Sequence, residues 1–165
     1  MTLIARTPFL ERQHEALLDR VRAFGEKRLR GTASDESDPE GQTRSLVADL
    51  ADAGLLKHAI PPPHGAMDLR SLVVCREALA YYSSLADTAF VMQGLGSFPI
   101  SHAGTGVQRQ TWLPQVARGD MLAAFAVTEP EAGSDLGGVR TRAERDGALW
   151  RMSGLKTFIS NAGIA

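Results

Sequence analysis

Apolar residues recur three and four positions apart through most of the first 120 residues, and two positions apart only after that. Leu10, Leu17, Leu18, Val21 and Phe24 mark one amphipathic helix, with Thr7 and Pro8 as its predicted N-cap and first turn and Gly31 as its end. Residues 32–42 are small, acidic and turn-forming, and read as a surface loop. A second helix is predicted over residues 43–53, with Leu46, Leu50 and Ala53 on one face and Gly54 as its stop. The run Pro61, Pro62, Pro63 interrupts regular structure. Beyond it, Asp68 is predicted to cap a helix whose stripe is Leu69, Leu72, Val73, Leu79 and Ala80. Asp87 is predicted to cap another, apolar on most sides through Ala89, Phe90, Val91, Met92 and Leu95, as befits a helix inside a bundle. A shorter helix starts at Thr105 and ends near Ala117.

From Met121 the period changes. Residues 121–128 form an apolar run of strand length, and Val139, Thr141 and Ala143 alternate with Arg140, Arg142 and Glu144. Asp146-Gly147 signals a two-residue hairpin, with residues 148–152 as the return strand. Residues 158–165 are apolar and strand-like and stop without a polar tail or covering helix, the pattern of a chain cut short. Five helices followed by antiparallel strands define an α+β class: an all-α helical bundle over residues 1–120, then an incomplete β domain over residues 121–165.

Charge narrows the functions available. The 165 residues carry 18 Lys+Arg against 19 Asp+Glu, interleaved along the chain, so no basic patch exists to hold a nucleic acid. The longest apolar run, residues 121–127, is far below the roughly 20 residues that span a bilayer. The N-terminus lacks the charged and apolar regions of a secretory signal. Cys75 is the single cysteine, which excludes an intrachain disulfide and a cysteine metal site. A soluble protein of the reducing cytoplasm is expected. His58 and His64 flank the proline run without further ligands at suitable spacing, so no metal site is assigned and they read as packing or surface histidines.

Three motif-like stretches fail on context. Gly94-Leu-Gly96 has Pro99 where a dinucleotide fingerprint needs glycine, and it lies in a helical segment. Ser153-Gly-Leu-Lys156 matches S-x-x-K but falls between predicted strands. Ala132-Gly133-Ser134 lacks the first glycine of G-x-S-x-G, and no histidine follows residue 102. The informative stretch is residues 125–138, where an apolar run enters a turn dense in glycine, hydroxyl and carboxylate groups. Such a turn can present several N–H groups and hydroxyls to one anionic or carbonyl-bearing ligand, and it can equally be a polar loop between strands.

Thr128-Glu-Pro-Glu-Ala-Gly-Ser-Asp135, followed by Gly154-Leu-Lys156-Thr-Phe-Ile-Ser-Asn161-Ala-Gly163, closely resembles the acyl-CoA dehydrogenase family of flavoproteins, and residues 108–119 look like the helix preceding these motifs. The resemblance covers residues 61–165. It implies an N-terminal helical domain, a β-barrel-like middle domain and a C-terminal four-helix domain, the last without a counterpart here. It also implies FAD and the desaturation of an acyl-CoA thioester between Cα and Cβ, in which a carboxylate takes the α-proton and a hydride passes to flavin N5.

By that resemblance Phe125, Ala126, Val127 and Thr128 would line the flavin ring, with the Thr128 hydroxyl at its pyrimidine edge. Gly133 and Ser134 would meet the pyrophosphate, with Ser134 also near the thioester substrate. Phe158, Ile159 and Ser160 would form the second flavin contact, Phe158 standing where tryptophan is usual and Ser160 where threonine is usual. Val91 and Leu95 are candidates for the acyl pocket and equally for core packing. Glu131 stands where many members have glycine and is given no role. The family's catalytic glutamate comes from the absent C-terminal domain, so none of Glu11, Glu77, Glu129 or Glu131 takes that part and no catalytic residue is assigned in this chain. The implied partners are an acyl-CoA, an electron-transfer flavoprotein or similar acceptor, and further subunits in a homo- or hetero-oligomer. Two other readings stand beside this one: a short non-catalytic subunit whose partner supplies the missing part, and a related flavin oxidase or monooxygenase of the same fold.

Overall fold

The computed structural model describes residues 8–31 and 37–165; the predicted cap Thr7 and residues 32–36 of the predicted loop lie outside the described residues. Helix α1 runs Arg12–Phe24 and continues as a π-helical turn, Gly25–Leu29. Then come α2 (Pro39–Asp52), a 3-10 turn (Leu56–Ala59), α3 (Leu69–Tyr82), α4 (Ser84–Ala103) and α5 (Gly106–Ala117). A short 3-10 turn (Leu136–Gly138) precedes a hairpin of β1 (Arg142–Asp146) and β2 (Leu149–Ser153). The expected class is therefore observed: a helical domain followed by antiparallel strands.

The core lies among the helices. Leu17 and Val21 from α1, Val47 and Leu50 from α2, Val74 and Leu79 from α3, and Ala89 and Phe90 from α4 are buried together. Helix α4 is the hub, packed against α2, α3, α5 and the Leu56–Ala59 turn. Its two glycines permit that closeness. A Cβ built on Gly94 falls 2.8 Å from the Ala59 carbonyl, and one built on Gly96 falls 2.7 Å from both the Ala123 Cβ and the Ala124 carbonyl oxygen. Gly94-Leu-Gly96 is thus a packing device, not a phosphate loop.

Several boundaries differ from the sequence expectation. Pro8 sits in a turn and α1 starts at Arg12, where the buried His14 Nδ1 accepts the Glu11 N–H. Helix α2 starts at Pro39, inside the predicted loop, because the Asp38 carboxylate accepts the Gly41 N–H and proline fits the first helical position. The buried face of α3 is Val74, Cys75, Ala78 and Leu79, which shares only Leu79 with the predicted stripe, while Leu69, Val73 and Ala80 are exposed; α1 and α4 both pack on α3. Helix α4 is capped by Ser83, whose Oγ accepts the Ala86 N–H; Asp87 instead pairs with Arg76 at 2.8 Å. Asp68 and Thr105 cap α3 and α5 as expected.

The β region is shorter than predicted. Residues 121–128 join no ladder: side chains bond the Met121, Ala123 and Val127 backbone, while the N–H groups of residues 125–128 meet no acceptor among the described residues. The hairpin turns on Gly147 (φ +63°) and Ala148, one position later than predicted, with Asp146 opposite Leu149. Both strands are exposed along their whole length. Residues 158–165 form turns rather than a strand, with Phe158 and Asn161 at positive φ. No helix among the described residues is long and apolar enough to cross a membrane, and no group of metal-ligating side chains forms among them. His58 is half-buried, its ring nitrogens meet no partner, and burial pulls its pKa down, as befits a neutral packing histidine.

Candidate functional site

The site is built where residues 121–129 run beside residues 154–161. Gln93, buried in α4, anchors the first segment: its Nε2 donates to the Met121 carbonyl at 2.8 Å and its Oε1 accepts the Ala123 N–H at 2.7 Å. The second segment is held antiparallel to the first at two points, Asn161 Nδ2 donating to the Ala123 carbonyl at 3.0 Å and the Thr157 N–H donating to the Thr128 carbonyl at 3.0 Å. Between those points residues 158–160 face the stretch 124–127. The two motifs, separated in sequence by the hairpin, are thus brought together.

A charge pair between the buried Glu129 and the half-buried Lys156 closes one end. Lys156 Nζ donates to the Val127 carbonyl at 2.8 Å and to Glu129 Oε1 at 2.9 Å. Glu129, only 7% exposed, also accepts the Arg140 N–H at 2.7 Å, the Thr141 N–H at 2.9 Å and the Thr141 hydroxyl. The Thr141 hydroxyl, the Arg140 N–H and Lys156 together pull its pKa down to about 2. A carboxylate held this way is a poor proton acceptor and no proton donor near neutral pH. Gly154 is required beside it, since an added Cβ would run into the Thr141 side chain.

After Glu129 the chain makes a tight turn in which Glu129 and Ala132 exchange N–H···O bonds, and it emerges at Gly133 and Ser134, both exposed. A Cβ placed on Gly133 meets nothing within 4 Å, so the space above this backbone is open. The Asp135 carboxylate folds the next turn by accepting the Gly137 N–H. Phe125 is 41% exposed and Phe158 94%, at φ +56°, an unusual projection for a large aromatic ring. Ala126 and Ser160 are exposed, and Val127, Thr128 and Ile159 are half-buried. Among the described residues, the backbone N–H groups of these seven and of Gly133 and Ser134 meet no protein acceptor.

An apolar groove of about 250 Å³ adjoins the first segment, lined by Val91, Leu95, Phe98, Leu72, Met67 and Phe125 among others. It unites Val91 and Leu95 with Phe125; Ser134 and Phe158 are not part of its wall. Glu129, Lys156, Thr141, Asn161 and Gln93 are the residues that sequence reasoning missed. The available signal was the lone lysine of the second motif and the carboxylates of the first, among which nothing in the sequence singles out Glu129.

Residues 11–120 match the description "Acyl-CoA dehydrogenase, N-terminal domain" and residues 124–165 match "Acyl-CoA dehydrogenase, middle domain". Among curated relatives, a cyclohexane-1-carbonyl-CoA dehydrogenase of Geobacter metallireducens is 36% identical over 129 residues, covering 76% of this chain and 33% of that protein. A (2S)-methylsuccinyl-CoA dehydrogenase of Cereibacter sphaeroides is 33% identical over 160 residues, covering 93% of this chain and 28% of that protein. Glutaryl-CoA dehydrogenase from Mycobacterium smegmatis superposes with a TM-score of 0.84 at 32% identity, over 96% of this chain and 42% of that one. An acyl-CoA dehydrogenase from Bacillus anthracis complexed with FAD gives 0.80 at 26% identity, over 100% of this chain and 30% of that one. The chain spans about a third of the length of the curated relatives it matches. With both of its parts matched and the two motifs joined in one site, the chain belongs to the acyl-CoA dehydrogenase family.

Proposed function

We propose that this chain supplies one face of the flavin site and one wall of the acyl pocket of a FAD-dependent acyl-CoA dehydrogenase, which desaturates an acyl-CoA thioester between Cα and Cβ. Residues 1–120 act as the helical domain and residues 121–165 as the opening of the middle domain. The observation that carries this reading is the pairing of residues 121–129 with 154–161: it gathers free N–H donors and two exposed aromatic rings beside an apolar groove.

These residues fit FAD. Free N–H groups along Phe125, Ala126, Val127 and Thr128, with the Thr128 hydroxyl, suit the polar edge of an isoalloxazine ring, and Ser160 adds a hydroxyl from the opposite segment. Phe158 offers a bare aromatic surface. Gly133 and Ser134 present N–H groups in open space, as a pyrophosphate needs. Bound there, the flavin would take up the hydride leaving the substrate. Fixed backbone donors at its polar edge stabilise the arriving negative charge without reorganising. The similar Bacillus anthracis structure contains FAD, which supports the assignment.

Val91, Leu95 and Phe125 would bury the acyl chain at roughly 25 cal/mol per Å² of apolar surface removed from water. Ser134 lies on the exposed side of the turn, where the polar thioester end of the substrate can reach it. Glu129 is held ionised and both of its oxygens are engaged, so it is not free to take a proton from a substrate. By the family resemblance the base that removes the α-proton comes from a part of the enzyme other than these residues, and an electron-transfer flavoprotein or similar acceptor reoxidises the flavin.

The test is turnover by the complete protein with a series of acyl-CoA thioesters and an artificial electron acceptor. A 2-enoyl-CoA product is expected, and Val91→Phe should lower kcat/KM for longer acyl groups by about 10-fold or more while sparing short ones. Acyl-CoA left unoxidised by FAD-loaded protein across the series would overturn the reading.

A further inference from the structure

The ion pair between Glu129 and Lys156 has no part in the function proposed so far, yet it is the most heavily bonded polar group in the β region. Glu129 Oε2 accepts the Arg140 N–H, while Oε1 accepts the Thr141 N–H, the Thr141 hydroxyl and Lys156. Lys156 spends its other observed bond on the Val127 carbonyl, within the stretch proposed to face the flavin. Three pieces of chain meet at this one pair: residues 127–129, the entry to β1 at 140–141, and residues 156–157. No β ladder performs that task, since residues 121–128 pair with no strand and the Thr157 N–H to Thr128 carbonyl bond is the single backbone bond between the two segments.

A charge pair is an unusual choice for such a joint. Glu129 is buried and Lys156 half-buried, and desolvation offsets much of the attraction in such a pair, but its geometry is strict. Here the two ends of the pair sit beside the residues on either side of the site, Thr128 next to Glu129 and Phe158 two positions beyond Lys156. A small movement of the ammonium group changes the spacing between them.

We infer that Glu129 and Lys156 are positioning residues for FAD, setting the separation between the segment of Phe125 to Thr128 and the segment of Phe158 to Ser160. The inference rests on the flavin-site reading above. Lys156 acts through Val127 and Thr157 and does not touch the cofactor.

The test compares the complete wild-type protein with Lys156→Met, Lys156→Arg and the double variant Glu129→Gln/Lys156→Met, reading the FAD dissociation constant, the visible spectrum of bound FAD and the melting temperature of the apoprotein. Lys156→Met strands a buried carboxylate and should lose both stability and FAD. The double variant removes both charges and should recover melting temperature over Lys156→Met, while its FAD dissociation constant stays raised by about 10- to 100-fold, the scale of a lost charge-assisted hydrogen bond. Its bound FAD should also show altered band structure, and Lys156→Arg should restore part of the affinity. A double variant that binds FAD with wild-type affinity and spectrum overturns the inference. So does a loss of affinity that simply follows melting temperature across the three variants. Wild-type protein that takes up no FAD would instead strike down the flavin-site reading, and this inference with it.

Discussion

Glu129 keeps its charge because four donors converge on it, and that makes it an acid-sensitive joint. Its pKa is lowered in the folded state from the ordinary 4.5 to about 2, so its contribution to stability is complete above about 4.5 and disappears as pH falls from there towards 2. Wild-type protein should therefore lose melting temperature on acidification through this window more steeply than Glu129→Gln, which has no proton to take up. Parallel profiles for the two proteins would show that the joint does not behave as described. The pair itself was not legible in the sequence, because its partners stand 27 positions apart and neither belongs to a hydrophobic period. Phe125, Thr128, Gly133 and Phe158 were legible only as parts of a motif. That Phe158 stands out into solvent at positive φ, and that Val91 and Leu95 share a groove with Phe125, required the folded chain. Cys75 is a small buried side chain on α3, and burial pushes its thiol up to about 12, which leaves it unreactive.

At the level of elements, the helices were legible where period and cap agree, as for α3 behind Asp68 and α5 behind Thr105. They were misjudged where one signal has two meanings. Asp38-Pro39 is as good a helix start as a turn, and α3 carries apolar residues on two faces of which α1 and α4 bury only one. Residues 121–128 failed for a different reason: the apolar run is real, but Gln93, Lys156 and Asn161 bond the backbone only at Met121, Ala123 and Val127, and no strand among the described residues lies beside it. The seat of that segment on α4 depends on Gly96. Gly96→Val should push residues 123–124 off the helix and cost about 1–3 kcal/mol of stability. Gly106→Ala, at a helical position with nothing within 4 Å of the new methyl, should be neutral or stabilising by up to about 1 kcal/mol. Thermal melts of the two variants check this, and equal melting temperatures would contradict the close packing at Gly96.

Across the whole molecule, the helical domain carries the core and the β region carries the proposed flavin face. The bundle fixes α4, α4 fixes residues 121–123 through Gln93 and Gly96, and that segment fixes its partner loop through Asn161, Thr157 and Lys156. The groove along Val91 and Leu95 lies on the same helix, so one element sets both the proposed acyl wall and the proposed flavin face. An anaerobic spectral titration of the complete protein, as purified, with acyl-CoA thioesters tests this account most directly. The account predicts bound FAD whose visible absorption bleaches on addition of a suitable acyl-CoA and returns when an electron acceptor is admitted; protein that holds no flavin, or flavin that no acyl-CoA bleaches, would contradict it.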